Sequence, residues 1–108
     1  MNPELPQMIT GYITASNTHD IEAILGCFSD SAIVRDENET LHGKEAIKGW
    51  IVKTIGKYNF HFEPVQIHQD DNETTVSMKV SGTFPGSPIT LDYHFITLDG
   101  KISSLSVE

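Results

Sequence analysis

The most regular pattern in the chain lies between Thr74 and Phe84, where apolar or small side chains alternate with polar ones. Successive side chains of a β-strand point to opposite faces, so this period of two predicts a strand with one packed face and one solvated face. The positions predicted to face inward are Thr74, Val76, Met78, Val80, Gly82 and Phe84. A sheet with one packed and one solvated face is typical of antiparallel strands.

Three more segments in the second half of the chain have strand character. They are 59–69, Ile89–Leu98 and Ile102–Val107. In the first of these, the inward apolar positions change parity after Pro64, from Phe60 and Phe62 to Val65 and Ile67. A change of phase by one residue at a proline predicts a β-bulge and a bend in the strand.

Short turn sequences connect these strands. Asp70-Asp71-Asn72 and Asp99-Gly100 are typical of tight hairpins. Pro85-Gly86-Ser87-Pro88 also turns the chain. Consecutive strands joined in this way predict an antiparallel meander.

The first half of the chain shows the helical period of 3.6 residues instead. The predicted helices span about Leu5–Ser16, Ile21–Phe28 and Lys44–Ile55. Gly56 is placed to end the third helix. Between the second and third helices, we expect a turn at 29–31, a short strand over Ala32–Asp36 and a brief second strand over Thr40–His42.

Helices followed by an antiparallel meander indicate the α+β class. The chain has 108 residues, which predicts a single domain over its whole length. A bent sheet with three helices on its concave side forms a cone with one open end. Side chains that cannot meet at the wide end leave a pocket there. We therefore expect a curved, mostly antiparallel sheet wrapped around three N-terminal helices.

Charge and composition exclude several classes of partner. The formal net charge of −8 argues against nucleic acid and anionic membranes, which both require a cationic surface. No apolar run approaches the roughly 18 residues of a membrane span, and Met1–Glu4 lacks the basic flank of a signal peptide. The single cysteine, Cys27, lies in an apolar helical run and predicts an inert, buried thiol. These features favour a cytoplasmic location.

Asp36 is the candidate for chemistry, because it ends a predicted strand on the same face as Ala32 and Val34. In an apolar pocket, desolvation would raise the pKa of this carboxyl and make it a base able to take a proton from a carbon acid. The alternative is a solvated strand-end acid beside Glu37 and Glu39. The residues by themselves leave both interpretations open and favour the second.

Four segments carry a family resemblance. They are Tyr12 with Asn17-Thr18-His19-Asp20, Phe28-Ser29-Asp30-Ser31-Ala32, Val34-Arg35-Asp36, and Leu41-His42-Gly43-Lys44-Glu45-Ala46-Ile47. In order and spacing they resemble the nuclear-transport-factor-2-like superfamily, and within it the polyketide-cyclase-like and ketosteroid-isomerase-like branches. The resemblance covers nearly the whole chain and implies a cone-shaped, cystatin-like fold. The superfamily includes isomerases, cyclases, dehydratases, epoxide hydrolases and members that only bind or assemble, so the fold does not select an activity.

The resemblance to ketosteroid isomerase implies three catalytic residues. Tyr12 falls on that enzyme's oxyanion-hole tyrosine, and Asp36 falls on its general-base aspartate. The segment from Asp92 to Phe95 is similar to the one that holds the second oxyanion donor, a protonated aspartic acid. Strand alternation puts Tyr93 at that position and Asp92 on the outer face. This is a departure from the family pattern, although a phenol can still donate a hydrogen bond to an oxyanion.

Each of these candidates also has a purely structural interpretation. Tyr12 and Tyr93 can be core tyrosines whose hydroxyls bond a backbone carbonyl or each other. Large apolar residues can line a ligand cavity, or they can fill a closed core, which is the default. The residues predicted to line a ligand cavity are Trp50, Phe60, Phe62, Met78, Phe95 and Phe28.

We expect neither a metal nor another cofactor. The five histidines show no metal-ligand spacing, Cys27 stands alone, and phosphate-loop, dinucleotide and nucleophile-elbow motifs are missing from the sequence. His61 and His94 are expected on the outer face of the sheet, which in this superfamily often forms a dimer interface. Three functions remain open: a cofactor-independent isomerase or cyclase acting on a small apolar, oxygen-bearing molecule, a non-catalytic ligand-binding domain, and a homodimeric scaffold.

Overall fold

The computed structural model describes residues 7–36, 38–70 and 73–108, and within these ranges it contains three helices and six strands. The helices are α1 (Gln7–Asn17), α2 (Ile21–Gly26) and α3 (Gly43–Tyr58). The strands are β1 (Phe28–Asp36), β2 (Glu39–His42), β3 (His61–Asp70), β4 (Glu73–Ser81), β5 (Ile89–Leu98) and β6 (Lys101–Val107). The predicted turn residues Asp71 and Asn72, and the predicted start of the first helix at Leu5 and Pro6, lie outside the described residues.

The six strands form one sheet in the order β2-β1-β6-β5-β4-β3. Neighbouring strands are antiparallel except β1 and β6, which run parallel. The antiparallel meander β3-β4-β5-β6 is thus extended by the β1–β2 hairpin. Helix α3 packs against β1 and β2, and α1 packs against β3 and β6. The prediction of an α+β fold with a mostly antiparallel sheet is confirmed.

Strand β3 contains the predicted β-bulge. Pro64 and Gln66 pair with consecutive residues of β4, so Val65 between them has no partner in that strand. The prediction that Val65 faces inward is wrong, because the bulge turns its side chain outward and leaves it 63% exposed. Ile67 pairs with Val76 and returns to the inner face.

Helix α2 is shorter than predicted and β1 is longer. The helix ends at Gly26 and β1 begins at Phe28, so the predicted helix end at Phe28 and the predicted turn at 29–31 are both wrong. Strand β6 explains the difference, because the Ile102 N–H donates a 2.8 Å hydrogen bond to the Cys27 carbonyl oxygen. This bond draws the chain into the sheet directly after the helix.

Helix α3 runs past Gly56 to Tyr58, which is longer than predicted. It ends at Asn59, whose φ of 45° lies in the left-handed region and whose N–H donates to the Ile55 carbonyl oxygen. Asparagine tolerates this conformation better than most residues do. Asn59, rather than Gly56, therefore ends the helix.

Strand β4 ends at Ser81 rather than at Phe84, because the chain meets the end of α3 there. A side chain at Gly82 would overlap the carbonyl oxygen of Tyr58. The Thr83 N–H donates to that same oxygen at 2.9 Å. The chain leaves the sheet at this point, and the ring of Phe84 packs edge-on against Tyr58 with ring centres 5.5 Å apart.

The inner faces of the strands and the apolar faces of the helices form one core. Phe28, Met78 and Phe95 are completely buried in it. Among the described helices, none combines the length and the apolar character that crossing a membrane requires.

Candidate functional site

A cavity of about 390 Å³ lies between the helices and the inner face of the sheet. Its wall combines residues of all three helices with the end of β1, inner positions of β3 to β6, and the segment that follows β4. Most of these side chains are apolar or aromatic. Oxygen-bearing side chains are contributed by Tyr12, Ser16, Asp36, Thr54, Tyr58 and Tyr93.

The residues predicted to line a ligand cavity divide into two groups. Trp50, Phe60 and Phe62 contribute to the cavity wall. Met78, Phe95 and Phe28 do not, and the prediction for these three is corrected: each is 0% exposed inside the core. The reason is that other side chains cover them. The Tyr12 ring packs edge-on against Phe28 and Phe95, with ring centres 5.9 and 5.4 Å away, and separates both from the cavity.

Asp36 is placed at the cavity by the alternation of β1. Ala32 and Val34 precede it on the inner face and are completely buried, whereas Asp36, at the end of the strand, is half-buried and contributes to the cavity wall. The Trp50 Nε1–H donates a 2.9 Å hydrogen bond to Asp36 Oδ2. Trp50 is therefore more than a wall residue, since it fixes the orientation of the carboxylate.

Tyr12 projects from α1 and is 2% exposed. Burial raises the pKa of its phenol well above the ordinary value, the Asp36 carboxylate raises it further, and the Ser16 hydroxyl lowers it. The phenol therefore keeps its proton at neutral pH and can donate a hydrogen bond.

Tyr93 projects from β5 into the same cavity and is 6% exposed. Burial raises the pKa of this phenol too, and Tyr12 and Asp36 contribute in the same direction. Asp92 points to the outer face, where Ser77 Oγ donates a 3.0 Å hydrogen bond to its Oδ1. Of the two residues, the structure places Tyr93 at the cavity.

Hydrogen bonds from the end of α1 hold the aromatic wall of the cavity. Asn17 Nδ2–H donates to the Phe62 carbonyl oxygen at 3.0 Å, and Asn17 Oδ1 accepts from the Phe62 N–H at 2.7 Å. His19 Nε2–H donates to the Phe60 carbonyl oxygen at 2.7 Å. Because Phe62 lies on the edge strand β3, the two Asn17 bonds satisfy backbone groups that no further strand pairs with.

Asp36, Tyr12 and Tyr93 thus meet at one cavity, and the Asp36 carboxylate contributes to the raised pKa of both phenols. Two protonated phenols can donate to an oxygen of a bound molecule, while a carboxylate beside them can accept a proton. Asp36 and Glu108 are the charged residues of the wall, the Glu108 carboxylate being directed to His94 on the outer face, and no lysine, arginine or histidine of the described chain contributes to the wall. The cavity therefore disfavours anionic molecules.

Several wall residues were not predicted from the sequence. Ser16 lies four residues after Tyr12, so helical spacing was the signal that could have found it. Thr54 and Tyr58 carry the same signal relative to Trp50. Phe84 was predicted to face inward by the alternation of the fourth strand, and it reaches the cavity from the segment that follows the end of that strand at Ser81.

No histidine side chain in the described ranges lines this cavity, although His19 bonds the backbone of the wall residue Phe60. His61 is exposed, and His94 lies on the outer face with Nε2 3.1 Å from Glu108 Oε2 and Nδ1 3.4 Å from Glu73 Oε1. Within the described residues, no cluster of three or more histidine, cysteine, aspartate or glutamate side chains is suited to hold a metal ion. Cys27 is buried, and burial raises the pKa of its thiol.

Comparison with known proteins agrees with this architecture. Residues 9–104 match the model of the SnoaL-like domain. The fold is that of the nuclear-transport-factor-2-like, or cystatin-like, proteins, and the chain belongs to the SnoaL-like domain family. The resemblance inferred from the sequence is confirmed.

Three solved structures illustrate the similarity. A "putative polyketide cyclase" from Sinorhizobium meliloti is 36% identical, with 96% of this chain and 95% of that chain aligned at a TM-score of 0.93. A protein of ketosteroid isomerase-like fold from Catenulispora acidiphila is 20% identical, with 97% and 86% of the two chains aligned at a TM-score of 0.84. A cystatin-fold protein from Novosphingobium aromaticivorans is 16% identical, with 94% and 95% aligned at a TM-score of 0.79. Among curated proteins, none is significantly similar to the chain.

Proposed function

We propose that this chain binds a small, uncharged, mostly apolar molecule that carries a carbonyl oxygen, and that it acts on this molecule as a cofactor-independent isomerase- or cyclase-type enzyme. Asp36 moves the proton, and Tyr12 and Tyr93 donate hydrogen bonds to the carbonyl oxygen. The observation that carries this proposal is the convergence of one carboxylate and two protonated phenols on a single apolar cavity.

The size and chemistry of the cavity support this class of ligand. A volume of about 390 Å³ lies near the lower end of the range of about 300–1,000 Å³ for ligand sites, which favours a molecule of one or two rings. The aromatic side chains of Phe60 and Phe62 stack at 4.6 Å between ring centres and offer an apolar surface. The Asp36 carboxylate disfavours carboxylates and phosphates.

The proposed reaction begins with proton abstraction. The Asp36 carboxylate accepts a proton from the carbon beside the carbonyl group, the electron pair of the broken C–H bond forms a C=C double bond, and the π pair of the carbonyl group moves to its oxygen. Tyr12 and Tyr93 stabilise the resulting enolate through their hydrogen bonds. Asp36 then returns the proton to the same carbon or to a conjugated one, so the overall reaction needs no oxidant or reductant. Trp50 holds the carboxylate in place throughout.

Deuterium exchange tests the proposal. 2-Tetralone is a two-ring ketone with enolisable protons, and its exchange in D₂O is followed by ¹H NMR. We expect the protein to accelerate exchange and Asp36→Asn to reduce the acceleration by about 10²-fold or more, because the general base is lost. Asp92→Asn is the matched control, since Asp92 is an acid on the outer face, and it should leave the rate unchanged. Equal exchange rates in the Asp36→Asn variant and the unaltered protein would contradict the proposal.

The non-catalytic alternative predicts a different outcome of the same experiment. 2-Tetralone would then raise the thermal unfolding temperature, because a ligand that binds only the folded state stabilises it. Exchange would not be accelerated.

A homodimer through the outer face of the sheet stays a prediction, supported by the short side chains of Thr75, Ser77 and Ser106 on that face. Sedimentation equilibrium of the unaltered protein and of Ser77→Arg tests it, and a dimer through this face should dissociate in the variant.

A further inference from the structure

The Ser16 hydroxyl is the one buried side-chain oxygen or nitrogen, in the part of the chain that the structure describes, that has no hydrogen-bond partner. Ser16 is 1% exposed and contributes to the cavity wall. Buried polar groups are nearly always hydrogen-bonded, because an unpaired group has lost its bonds to water without replacing them. We therefore expect the Ser16 hydroxyl to form a hydrogen bond with a group at the cavity.

Two other hydroxyls, one on α3 and one directly after the end of α1, behave differently. Thr54 Oγ1 donates to the Ile51 carbonyl oxygen at 3.1 Å, and Thr18 Oγ1 donates to the Ala15 carbonyl oxygen at 3.1 Å. Such bonds to the preceding turn are the usual arrangement for hydroxyls in helices. Ser16 does not make one, so its proton remains available to another group.

Tyr12 is the neighbour that this proton can reach. Ser16 lies one helical turn beyond Tyr12, so the two side chains share the cavity face of α1. The Ser16 hydroxyl lowers the pKa of the Tyr12 phenol, in opposition to burial and to the Asp36 carboxylate. A neighbouring hydroxyl has this effect when it stabilises negative charge on the phenol oxygen.

We propose that Ser16 is a positioning residue for Tyr12: its hydroxyl turns to donate a hydrogen bond to the Tyr12 phenol oxygen and so directs the phenol's own proton toward a ligand oxygen in the cavity. A phenol oxygen can accept one hydrogen bond while it donates another. The rings of Phe28, Phe62 and Phe95 that surround the Tyr12 ring offer no competing hydrogen-bond acceptor.

This role of Ser16 refines the proposed function. Its effect on a ligand rests on the proposal that a ligand oxygen binds beside Tyr12. Each hydrogen bond in a chain polarises the next, so Tyr12 becomes a stronger donor when it accepts from Ser16. The benefit is largest when negative charge develops on the ligand oxygen. Ser16 would act only through Tyr12, without contacting the ligand.

The contact between Ser16 and Tyr12 is tested without any ligand by ¹³C NMR at neutral pH, with tyrosines labelled at Cζ and the Tyr12 signal assigned from Tyr12→Phe. We expect Ser16→Ala to move the Tyr12 signal and Ser16→Thr, which keeps a hydroxyl, to restore it. The matched control is Thr54→Val, which removes a wall hydroxyl already bonded to the backbone and should leave the signal in place. An unmoved signal in Ser16→Ala, or an equal movement in Thr54→Val, would overturn the proposal. Should Ser16→Ala fail to fold, Ser16→Cys, a weaker donor, is expected to move the signal part of the way, and an unmoved signal overturns the proposal there too.

Binding of 2-naphthol measures the consequence for a ligand. We expect Ser16→Ala to weaken binding about three- to tenfold in the unaltered background and to have no effect in the Tyr12→Phe background. Equal weakening in both backgrounds would mean that Ser16 contacts the ligand directly, and tighter binding would mean that Ser16 withholds the Tyr12 proton. Either result overturns the proposal. Failure of the unaltered protein to bind 2-naphthol would count against the proposed function, and the NMR result would then decide the role of Ser16 by itself.

Discussion

The space enclosed by the helices and the sheet has a solid end and a hollow end, although similar residues build both. At the solid end, Phe28, Met78 and Phe95 are 0% exposed. At the hollow end, Phe60 and Phe62 face a cavity of about 390 Å³. Hydrophobicity therefore does not distinguish the two ends. The two ends differ in whether neighbouring side chains fill the space in front of these residues.

The change from solid to hollow occurs within two residues of a strand. On β4, Met78 is in the closed core and Val80 contributes to the cavity wall. On β5, Phe95 is in the core and Tyr93 contributes to the wall. Tyr12 lies at the boundary between the core and the cavity, because its ring packs against Phe95 of the core and Tyr12 also lines the cavity. The hollow end is also where the carboxylate and both phenols lie, so space and chemistry coincide.

The largest expected effect is a difference in the free energy of unfolding that is lost when an aromatic ring is removed from each end. Phe95→Ala removes a ring from the closed core and should lower the free energy of unfolding by about 4 kcal/mol. Phe84→Ala removes a half-buried ring beside an existing cavity and should lower it by about 1 kcal/mol. Urea unfolding measures both values. Equal losses would mean that the hollow end is packed as tightly as the core.

Filling the hollow end should abolish binding and leave the fold intact. Leu91 is half-buried, pairs with Met78 and contributes to the cavity wall, so Leu91→Trp places an indole in the empty space. We expect 2-naphthol binding to weaken at least about a hundredfold, equivalent to about 2.8 kcal/mol. The urea midpoint should change little. Unchanged affinity in this variant would show that the ligand binds elsewhere.

A smaller effect tests the contact that turns the chain toward the hollow end. Gly82→Ala places a Cβ against the Tyr58 carbonyl oxygen, so the backbone must shift and the free energy of unfolding should fall by about 2 kcal/mol. Gly49→Ala is the matched control on the exposed face of α3, where no atom lies within 4 Å of the new Cβ. It should raise stability by about 0.5–1 kcal/mol, because alanine is the better helix former. A stabilising effect at both positions would contradict the packing described here.

The free energy of unfolding should depend on pH in the alkaline range, because both phenols are buried. Burial raises the pKa of Tyr12 and of Tyr93 above the ordinary value of 10. The stability that they contribute is therefore fully present below about pH 10 and is lost as the pH rises above it, by up to about 1.4 kcal/mol per pH unit for each phenol. In urea unfolding between pH 9 and 11, Tyr12→Phe should show a shallower fall than the unaltered protein. Parallel curves would indicate a solvated phenol.

The sequence could predict the fold because its two periods are clear and agree with the order of the elements. Element ends were less predictable, since they depend on contacts between distant segments. Strand β4 stops at Ser81 because Gly82 meets Tyr58, and α2 stops early because Ile102 bonds Cys27.

The candidate site could be predicted only in part. Alternation placed Asp36 and Tyr93 on the inner face, and the family resemblance supplied their possible roles. Nothing in the sequence distinguished Met78 in the core from Val80 at the wall, because both are apolar and share one strand face. The hydrogen bond between Trp50 and Asp36 could not be predicted from the sequence either, since it depends on the distance between α3 and β1.

The most direct test of the central claim is a crystal structure of the protein with bound 2-naphthol. We predict that the rings of 2-naphthol lie in the hollow end and that its oxygen lies within hydrogen-bond distance of both the Tyr12 and Tyr93 hydroxyls. A bound molecule whose oxygen points away from both phenols, or one that lies outside the cavity, would contradict the account.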